Sequence, residues 1–160
     1  MDTNKITAIT KEGHERFKKE LKHLKEVERP RNIQEIADAR AHGDLSENAE
    51  YDAAKDAQWK LNIRVSRLET VLATAEVVDP SKLSGDRIMF GATVVIYDED
   101  EDKEIQYQLV SELEADLNTG KLSITSPLGR ALIGKFEGDD VVVKTPSGKR
   151  SISVVSVEYK

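Results

Sequence analysis

The chain has 160 residues, of which 34% are charged and 38% hydrophobic, and this mixture suits long exposed helices better than one thick core. Its formal net charge of −6 argues against a protein that coats nucleic acid by charge alone. The absence of cysteine excludes disulfides, thiolate metal sites and a cysteine nucleophile. No stretch approaches the ~20 apolar residues of a membrane span, and the N-terminus lacks the apolar run of a signal peptide. We therefore expect a soluble cytoplasmic protein without a membrane partner.

A first helix is predicted from Lys11 to about His42, with Thr10 as its N-cap. Its apolar face consists of Phe17, Leu21 and Leu24, and resumes later with Ile33, Ile36 and Ala37. Pro30 lies between these two groups and removes one backbone hydrogen bond, so we expect a bend there. Because the apolar face resumes beyond Pro30, the pattern predicts one kinked helix and not two.

The first helix is followed by a bend at Gly43, which can adopt the left-handed backbone that often follows a helix end. Asp44 or Ser46 can then cap the next helix by accepting its free amide hydrogens. The bend is acidic, since residues 35–56 contain seven carboxylates against two cationic side chains. A long arm that ends in carboxylates is therefore predicted.

A second helix is predicted from about Glu47 to Glu76. Eight positions alternate at spacings of three and four, with one polar member: Tyr51, Ala54, Gln58, Leu61, Val65, Leu68, Leu72 and Ala75. Such a seam is typical of a coiled coil. If the helices fold back about the bend, Phe17 pairs with Leu72 and Leu24 with Val65, since each pair of residue numbers adds to 89. The two helices are therefore predicted to form an antiparallel hairpin with arms of ~45 Å.

The helical period ends near Pro80, where we place the boundary between domains 1–79 and 80–160. The second domain contains short β-branched or alternating segments and one short helix, Arg130 to Ile133. Its candidate strands are Arg87 to Phe90, Ala92 to Tyr97, Glu104 to Val110, Lys121 to Thr125, Asp140 to Lys144 and Ser151 to Tyr159. Asp98 to Asp102 is predicted to be a solvated hairpin turn. The fold class is α+β: a coiled-coil hairpin followed by a small, mostly antiparallel β domain.

A basic stripe lies on the first predicted helix, at spacings of four, three and four: Lys18, Lys22, Lys25 and Arg29. One interpretation is a solvated helix face with weak ion pairs, each worth ~0.2–0.5 kcal/mol. The other is a contact for a nucleic-acid backbone. From Lys11 to Arg31 the chain holds eight basic and five acidic residues, so the excess of positive charge is small.

Asp44 and Glu47 at the bend also allow two interpretations. Asp44-Leu45-Ser46-Glu47 resembles a capping box, and carboxylates are favoured at a helix N-terminus. Alternatively, the two carboxylates help to hold Mg²⁺, which prefers hard oxygen ligands. Two side chains cannot complete an octahedral site, so the bend would be half of a metal site shared with a partner or a phosphate.

Five separate segments carry a resemblance to a known family: His42 to Tyr51, Ile88 to Val94, Ser126 to Lys135, Asp139 to Gly148 and Val157 to Tyr159. Together and in this order they resemble the bacterial GreA/GreB family of transcript cleavage factors. The resemblance covers nearly the whole chain. Several motifs in the right order are more specific than any one of them alone.

The resemblance implies that the second domain is FKBP-like and docks on bacterial RNA polymerase at its secondary channel. The docking residues would be Ser126, Pro127, Leu128, Gly129, Arg130 and Lys135. The coiled coil would enter the channel and bring Asp44 and Glu47 to the active centre, where they hold Mg²⁺ that is shared with the polymerase and not bound stably by the factor alone. The polymerase would then cleave its own backtracked RNA near the nascent 3′ end. The protein is thus expected to be a monomeric accessory factor and not itself an enzyme.

Three alternatives remain open on the sequence. Some members of the family have altered acidic tips and inhibit the polymerase, but the intact pattern from Gly43 to Asn48 favours the cleaving type. An FKBP-like fold also suggests prolyl isomerase activity, although fold does not imply function. The third alternative is a coiled-coil adaptor in which the carboxylates only cap a helix.

Overall fold

The computed structural model of the chain describes residues 8–43 and 48–160. The chain forms two compact units: one spans His14–Ala75, and the other combines the residues up to Gly13 with Glu76–Lys160. The predicted α+β class is confirmed, since a helical hairpin precedes a sheet-containing unit. The predicted domain bounds, 1–79 and 80–160, stay a prediction. Within the described ranges, no helix has the length and apolar character needed to cross a membrane.

The hairpin is built from three α-helices. Helix α1 is Lys11–His23 and helix α2 is Arg29–Ala41, and a π-helical turn, Leu24–Glu28, joins them without a break. Helix α3, Ala49–Thr74, runs back along α2. The predicted end at about Glu76 was two residues too late, and the predicted start at about Glu47 lies outside the described residues.

The disturbance predicted at Pro30 takes the form of the π-helical turn just before it. Pro30 has no amide hydrogen to donate to the carbonyl of Glu26. The turn accommodates this loss by widening, and the Arg29 amide donates to the carbonyl of Leu24, five residues back. A π turn inserts one extra residue into the helix, so every later residue moves round the helix axis.

This insertion changes which residues of α2 face the partner helix. Continuing the heptad spacing of α1 would bury positions 31, 35 and 38, which are all charged. The extra residue instead buries Asn32, Ile36 and Ala39. The prediction for Ile36 is confirmed, but Ile33 (56% exposed) and Ala37 are exposed, so the predicted apolar face was wrong at those two positions.

The predicted seam of α3 is confirmed by its burial. All eight seam positions are buried or half-buried, with Val65 at 3% and Leu68 at 1% exposure. Polar contacts also join the two sides of the hairpin. Arg64 donates to both carboxylate oxygens of Glu20 at 2.6 and 2.9 Å, and the Asn32 side-chain amide donates to the carbonyl of Ala54 at 3.0 Å.

The sheet-containing unit has a five-stranded sheet in the order β5-β4-β3-β7-β6. Its strands are β3 (Thr93–Asp98), β4 (Lys103–Val110), β5 (Lys121–Ser123), β6 (Asp140–Thr145) and β7 (Gly148–Glu158). All neighbours are antiparallel except β4 and β5. Helix α4, Pro127–Leu132, packs against β6, and Leu132 is part of the apolar core. The prediction of a mostly antiparallel sheet with one short helix is confirmed, but the helix begins three residues before the predicted Arg130 and ends one residue before the predicted Ile133.

Three details of this unit differ from the predictions. The segment Arg87 to Phe90 is not a strand and makes one isolated bridge, between Arg87 and Phe136. Two short strands were missed: β1 (Ala8–Thr10) pairs in parallel with β2 (Glu76–Val78). Asp98, predicted to be solvated, is fully buried.

The buried Asp98 carboxylate holds the β3–β4 hairpin turn through hydrogen bonds. Its carboxylate accepts the backbone amides of Asp100 and Glu101 at 3.0 and 3.2 Å and also the Arg150 guanidinium. The hydrogen bond from Arg150 lowers the pKa of Asp98 below its ordinary value. The stabilisation from this carboxylate is therefore present at neutral pH and is lost as the pH falls through the lowered pKa.

A second buried carboxylate, Glu114, holds the start of α1. It is 2% exposed and accepts the amide and hydroxyl of Thr10 and, at 2.8 Å, the hydroxyl of Ser111. Thr10 in turn accepts the amide of Gly13 at 3.0 Å, which confirms Thr10 as the N-cap. A methyl group added at Gly13 would lie 2.0 Å from the Glu114 carboxylate, so glycine is required there.

We predict that Glu114→Ala lowers the free energy of unfolding by about 3 kcal/mol, because it leaves several buried donors without an acceptor. The measurement is urea unfolding of the full chain followed by circular dichroism. Glu112→Ala, two residues away on the exposed surface, is the matched control. Equal stability of the two variants would show that the Glu114 hydrogen bonds contribute no net stability.

Candidate functional site

The acidic bend of the hairpin, residues 39–51, is called the tip below. Its predicted metal-binding pair, Asp44 and Glu47, lies outside the described residues, as do Leu45 and Ser46. The structure describes the residues on both sides of this loop, up to Gly43 and from Asn48 onward. Their hydrogen bonds show which groups cap the ends of the two helices and which groups connect the helices.

The outgoing side ends as the sequence predicts. Gly43 has a φ of 104°, in the left-handed region that favours glycine. The amide of His42 donates to the carbonyl of Ala39 at 3.2 Å, and the amide of Gly43 donates to the carbonyl of Arg40 at 3.3 Å. These bonds close the last turn of α2.

The returning side begins at Asn48, which is the N-cap of α3. Its backbone is extended, and its side-chain oxygen accepts the amide of Tyr51 at 3.0 Å. The predicted cap, Asp44 or Ser46, is therefore wrong, because α3 starts after Asn48 and not at Glu47. The capping box predicted from Asp44 to Glu47 is not the cap of this helix.

Asn48 also connects the two helices. Its side-chain nitrogen donates to the carbonyl of Ala39 at 2.6 Å. Ala39 is 2% exposed and Asn48 is half-buried, so this bond lies at the edge of the hairpin core. One side chain thus completes the start of α3 and joins it to the last turn of α2.

Two other contacts accompany this bond, one between exposed side chains and one between the exposed Arg40 and the half-buried Tyr51. Nδ1 of His42 lies 2.9 Å from Oε2 of Glu50, and the Arg40 guanidinium lies 5.8 Å from the centre of the Tyr51 ring. Exposed contacts of these kinds contribute at most ~1 kcal/mol each. The partly buried Asn48 bond is therefore the better protected of the contacts across the tip.

The structure brings together three members of the predicted basic stripe. Lys18, Lys22 and Lys25 line one groove of about 420 Å³, together with His14, Leu21 and Leu72. Lys25 is also paired with Glu69 across the hairpin, which neutralises part of the charge. Arg29 is not among the lining residues of this groove. The nucleic-acid contact stays a prediction.

The predicted docking segment divides into structural and exposed residues. Ser126 caps α4 by accepting the amide of Gly129 at 3.1 Å, and it donates to the carbonyl of Ser123 at 2.6 Å. A methyl group on Gly129 would lie 2.0 Å from that carbonyl, so glycine permits the close approach. Leu128 packs on the core. The exposed members are Pro127, Arg130 and Lys135.

Sequence reasoning missed an exposed surface that begins next to Lys135. Phe136 and Met89 are 45% and 44% exposed, and the Arg87 guanidinium lies 5.9 Å from the centre of the Phe136 ring. The Tyr159 hydroxyl donates to the carbonyl of Arg87 at 2.6 Å and accepts the amide of Met89 at 3.1 Å. The available signal was the isolated motif around Met89, but nothing local in the sequence connects it with Phe136 and Tyr159.

Comparisons with known proteins agree with this architecture. Residues 7–77 match the family model described as transcription elongation factor, N-terminal, and residues 83–159 match the model described as transcription elongation factor, GreA/GreB, C-term. The transcription elongation factor GreA of Brucella anthropi is 54% identical over 151 residues, which is 94% of this chain and 96% of that protein. GreA of Anaeromyxobacter sp. (strain K) is 52% identical over 151 residues, covering 94% and 91% of the two chains.

Among solved structures, GreA factor homolog 1 (Gfh1) of Thermus thermophilus is 29% identical, with a TM-score of 0.44, covering 96% of this chain and 99% of that one. Both halves of the present chain match the family models, and its curated relatives match over nearly their full length. The chain belongs to the GreA/GreB family of transcription elongation factors.

Proposed function

We propose that this protein docks on bacterial RNA polymerase at the secondary channel and stimulates cleavage of backtracked nascent RNA by the polymerase. The cleavage restarts arrested complexes, and the factor is an accessory protein that does not cleave RNA alone. Membership of the GreA/GreB family of transcription elongation factors supports a role in transcription elongation. The observation that carries the chemical part is that Asn48, and not Asp44 or Ser46, caps α3.

Because of this cap, the residue that starts α3 is a different residue from the two carboxylates proposed to bind the metal. The cap of α3 is complete without a carboxylate, since the oxygen of Asn48 accepts the amide of Tyr51. Asp44 and Glu47 are therefore free of the role that competed with metal binding. Two carboxylates in the sequence between α2 and α3 that the cap of α3 does not require are suited to contribute ligands to another protein's site.

The donor set fits Mg²⁺, which prefers carboxylate oxygens and retains several waters. Asp44 and Glu47 would hold the ion together with ligands from the polymerase. When bound, Mg²⁺ lowers the pKa of coordinated water and stabilises charge that develops on phosphate oxygens. The two side chains would bind at the shared site and orient water toward the phosphodiester.

The docking role of the sheet-containing unit is proposed for its exposed residues. Pro127, Arg130 and Lys135 can meet a partner directly, whereas Ser126 and Gly129 act by shaping α4. Phe136 and Met89 extend this surface with apolar contact area. Exposed aromatic, methionine and arginine side chains are enriched at protein interfaces.

We predict that Asp44→Asn reduces the RNA cleavage rate by at least ~10–100-fold, the loss that even outer-shell metal partners cause. Asparagine keeps nearly the same shape and caps as well as aspartate, but it removes the negative charge. The measurement is shortening of labelled RNA in stalled, backtracked polymerase at saturating factor. Glu47→Gln should behave in the same way, and higher Mg²⁺ should partly restore both variants.

The matched control for these variants is Asp52→Asn, which removes an exposed carboxylate from the first turn of α3. It should leave cleavage nearly unchanged. Normal cleavage by both Asp44→Asn and Glu47→Gln, with polymerase binding intact, would exclude the two residues from the chemistry.

A separate prediction concerns docking. Arg130→Glu and Lys135→Glu should each weaken binding of the full chain to polymerase by roughly 10-fold, which corresponds to about 1.4 kcal/mol. Both side chains are exposed, so stability should change little. Lys149→Glu, at the exposed start of β7, is the charge-matched control. Titration of labelled factor with polymerase measures the affinity, and equal affinity for all three variants would place the docking surface elsewhere.

A further inference from the structure

We infer that Asn48 is a positioning residue for transcript cleavage, because one side chain holds together the two helix ends between which Asp44 and Glu47 lie in sequence. This inference rests on the proposed function. It assigns to Asn48 a role beyond that of a helix cap. The hydrogen bonds concerned join atoms of Ala39, His42, Asn48 and Tyr51, which all lie within the described residues.

The two hydrogen bonds of Asn48 run in opposite directions. Its oxygen accepts the Tyr51 amide at 3.0 Å, within α3, and its nitrogen donates to the Ala39 carbonyl at 2.6 Å, on α2. The same carbonyl accepts the amide of His42 at 3.2 Å. The Ala39 oxygen is therefore the point where the closing turn of α2 and the N-cap residue of α3 meet.

Asparagine is the side chain that suits this position. The cap requires an acceptor and the bond to Ala39 requires a donor, and a primary amide carries both on one short planar group. Aspartate keeps the acceptor but, when ionised, has no hydrogen to donate. Serine also caps a helix, but it carries its donor and its acceptor on a single oxygen, whereas the amide places them on two separate atoms farther from the backbone.

The consequence concerns the loop that starts after Gly43 and ends before Asn48. Metal-binding groups function well only when their supporting residues hold them within about 0.5 Å of the productive geometry. The neighbouring contacts are weak: His42 and Glu50 are both exposed, and the exposed Arg40 guanidinium lies 5.8 Å from the centre of the half-buried Tyr51 ring. The hydrogen bond from the Asn48 side-chain amide to the Ala39 carbonyl is thus the contact that best fixes the distance between the end of α2 and the start of α3.

The test compares Asn48→Asp and Asn48→Ser in the full chain. Both retain an N-cap, so the melting temperature should stay close to that of the wild type. Affinity for polymerase should also stay unchanged, because the docking surface is elsewhere. The maximal cleavage rate at saturating factor should fall by about 10-fold, and the Mg²⁺ concentration for half-maximal cleavage should rise.

Two further measurements complete the design. Asn62→Asp, an exposed position on the same helix, adds a carboxylate without touching the tip and should cleave normally. Backbone NMR order parameters of Gly43 and Asn48, recorded without polymerase, should fall in both Asn48 variants and stay unchanged in Asn62→Asp. This readout reports on the contact independently of cleavage.

The outcomes separate this inference from the proposed function. If the wild-type chain does not stimulate cleavage, the proposed function is wrong. If the wild type stimulates cleavage and both Asn48 variants match Asn62→Asp in rate and order parameters, the positioning role is wrong. A cleavage loss that only follows a loss of folded protein would likewise reduce Asn48 to a structural cap.

Discussion

The hairpin depends on the burial of one apolar seam between antiparallel helices. Val65 and Leu68 are almost fully buried on α3, and Ile36 and Ala39 take the matching role on α2. Complete burial of a valine, leucine or isoleucine side chain contributes roughly 1.5–3 kcal/mol to the stability of the fold. The π turn before Pro30 keeps this seam continuous, because without it three charged residues would face the partner helix. A single inserted residue thus determines which side chains of α2 are buried against α3, up to Ala39 at the tip.

The same constraint reaches the candidate site. Ala39 is buried at the end of the seam, and its carbonyl is the acceptor for Asn48. The helix register that buries Ala39 also presents this oxygen to the start of α3. Because Asn48 completes the cap, the start of α3 does not require a carboxylate. We propose that Asp44 and Glu47 act in the chemistry, and that exposed residues of the sheet-containing unit act in docking.

Much of the fold could be predicted because its signals are local. The spacing of three and four along α3 identified every seam residue, and alternating apolar residues identified five strands within a few positions. The remaining features depend on distant partners. Strands β1 and β2 have three residues each, and the whole hairpin lies between them in the sequence. The bridge between Arg87 and Phe136 also joins residues that are far apart in the sequence. The phase change after the π turn exposed Ile33. The local pattern from Asp44 to Glu47 resembles a capping box, and it indicated a cap earlier in the chain than Asn48.

We propose that this chain makes RNA polymerase cleave its own backtracked RNA. The most direct measurement adds the wild-type chain to purified, stalled polymerase that holds 5′-labelled RNA, in the presence of Mg²⁺, and follows RNA length over time. We expect rapid appearance of shortened RNA that the polymerase can extend again, and no shortening when the chain is mixed with the RNA without polymerase. RNA of unchanged length, under conditions in which the chain is bound to the stalled complex, would contradict it.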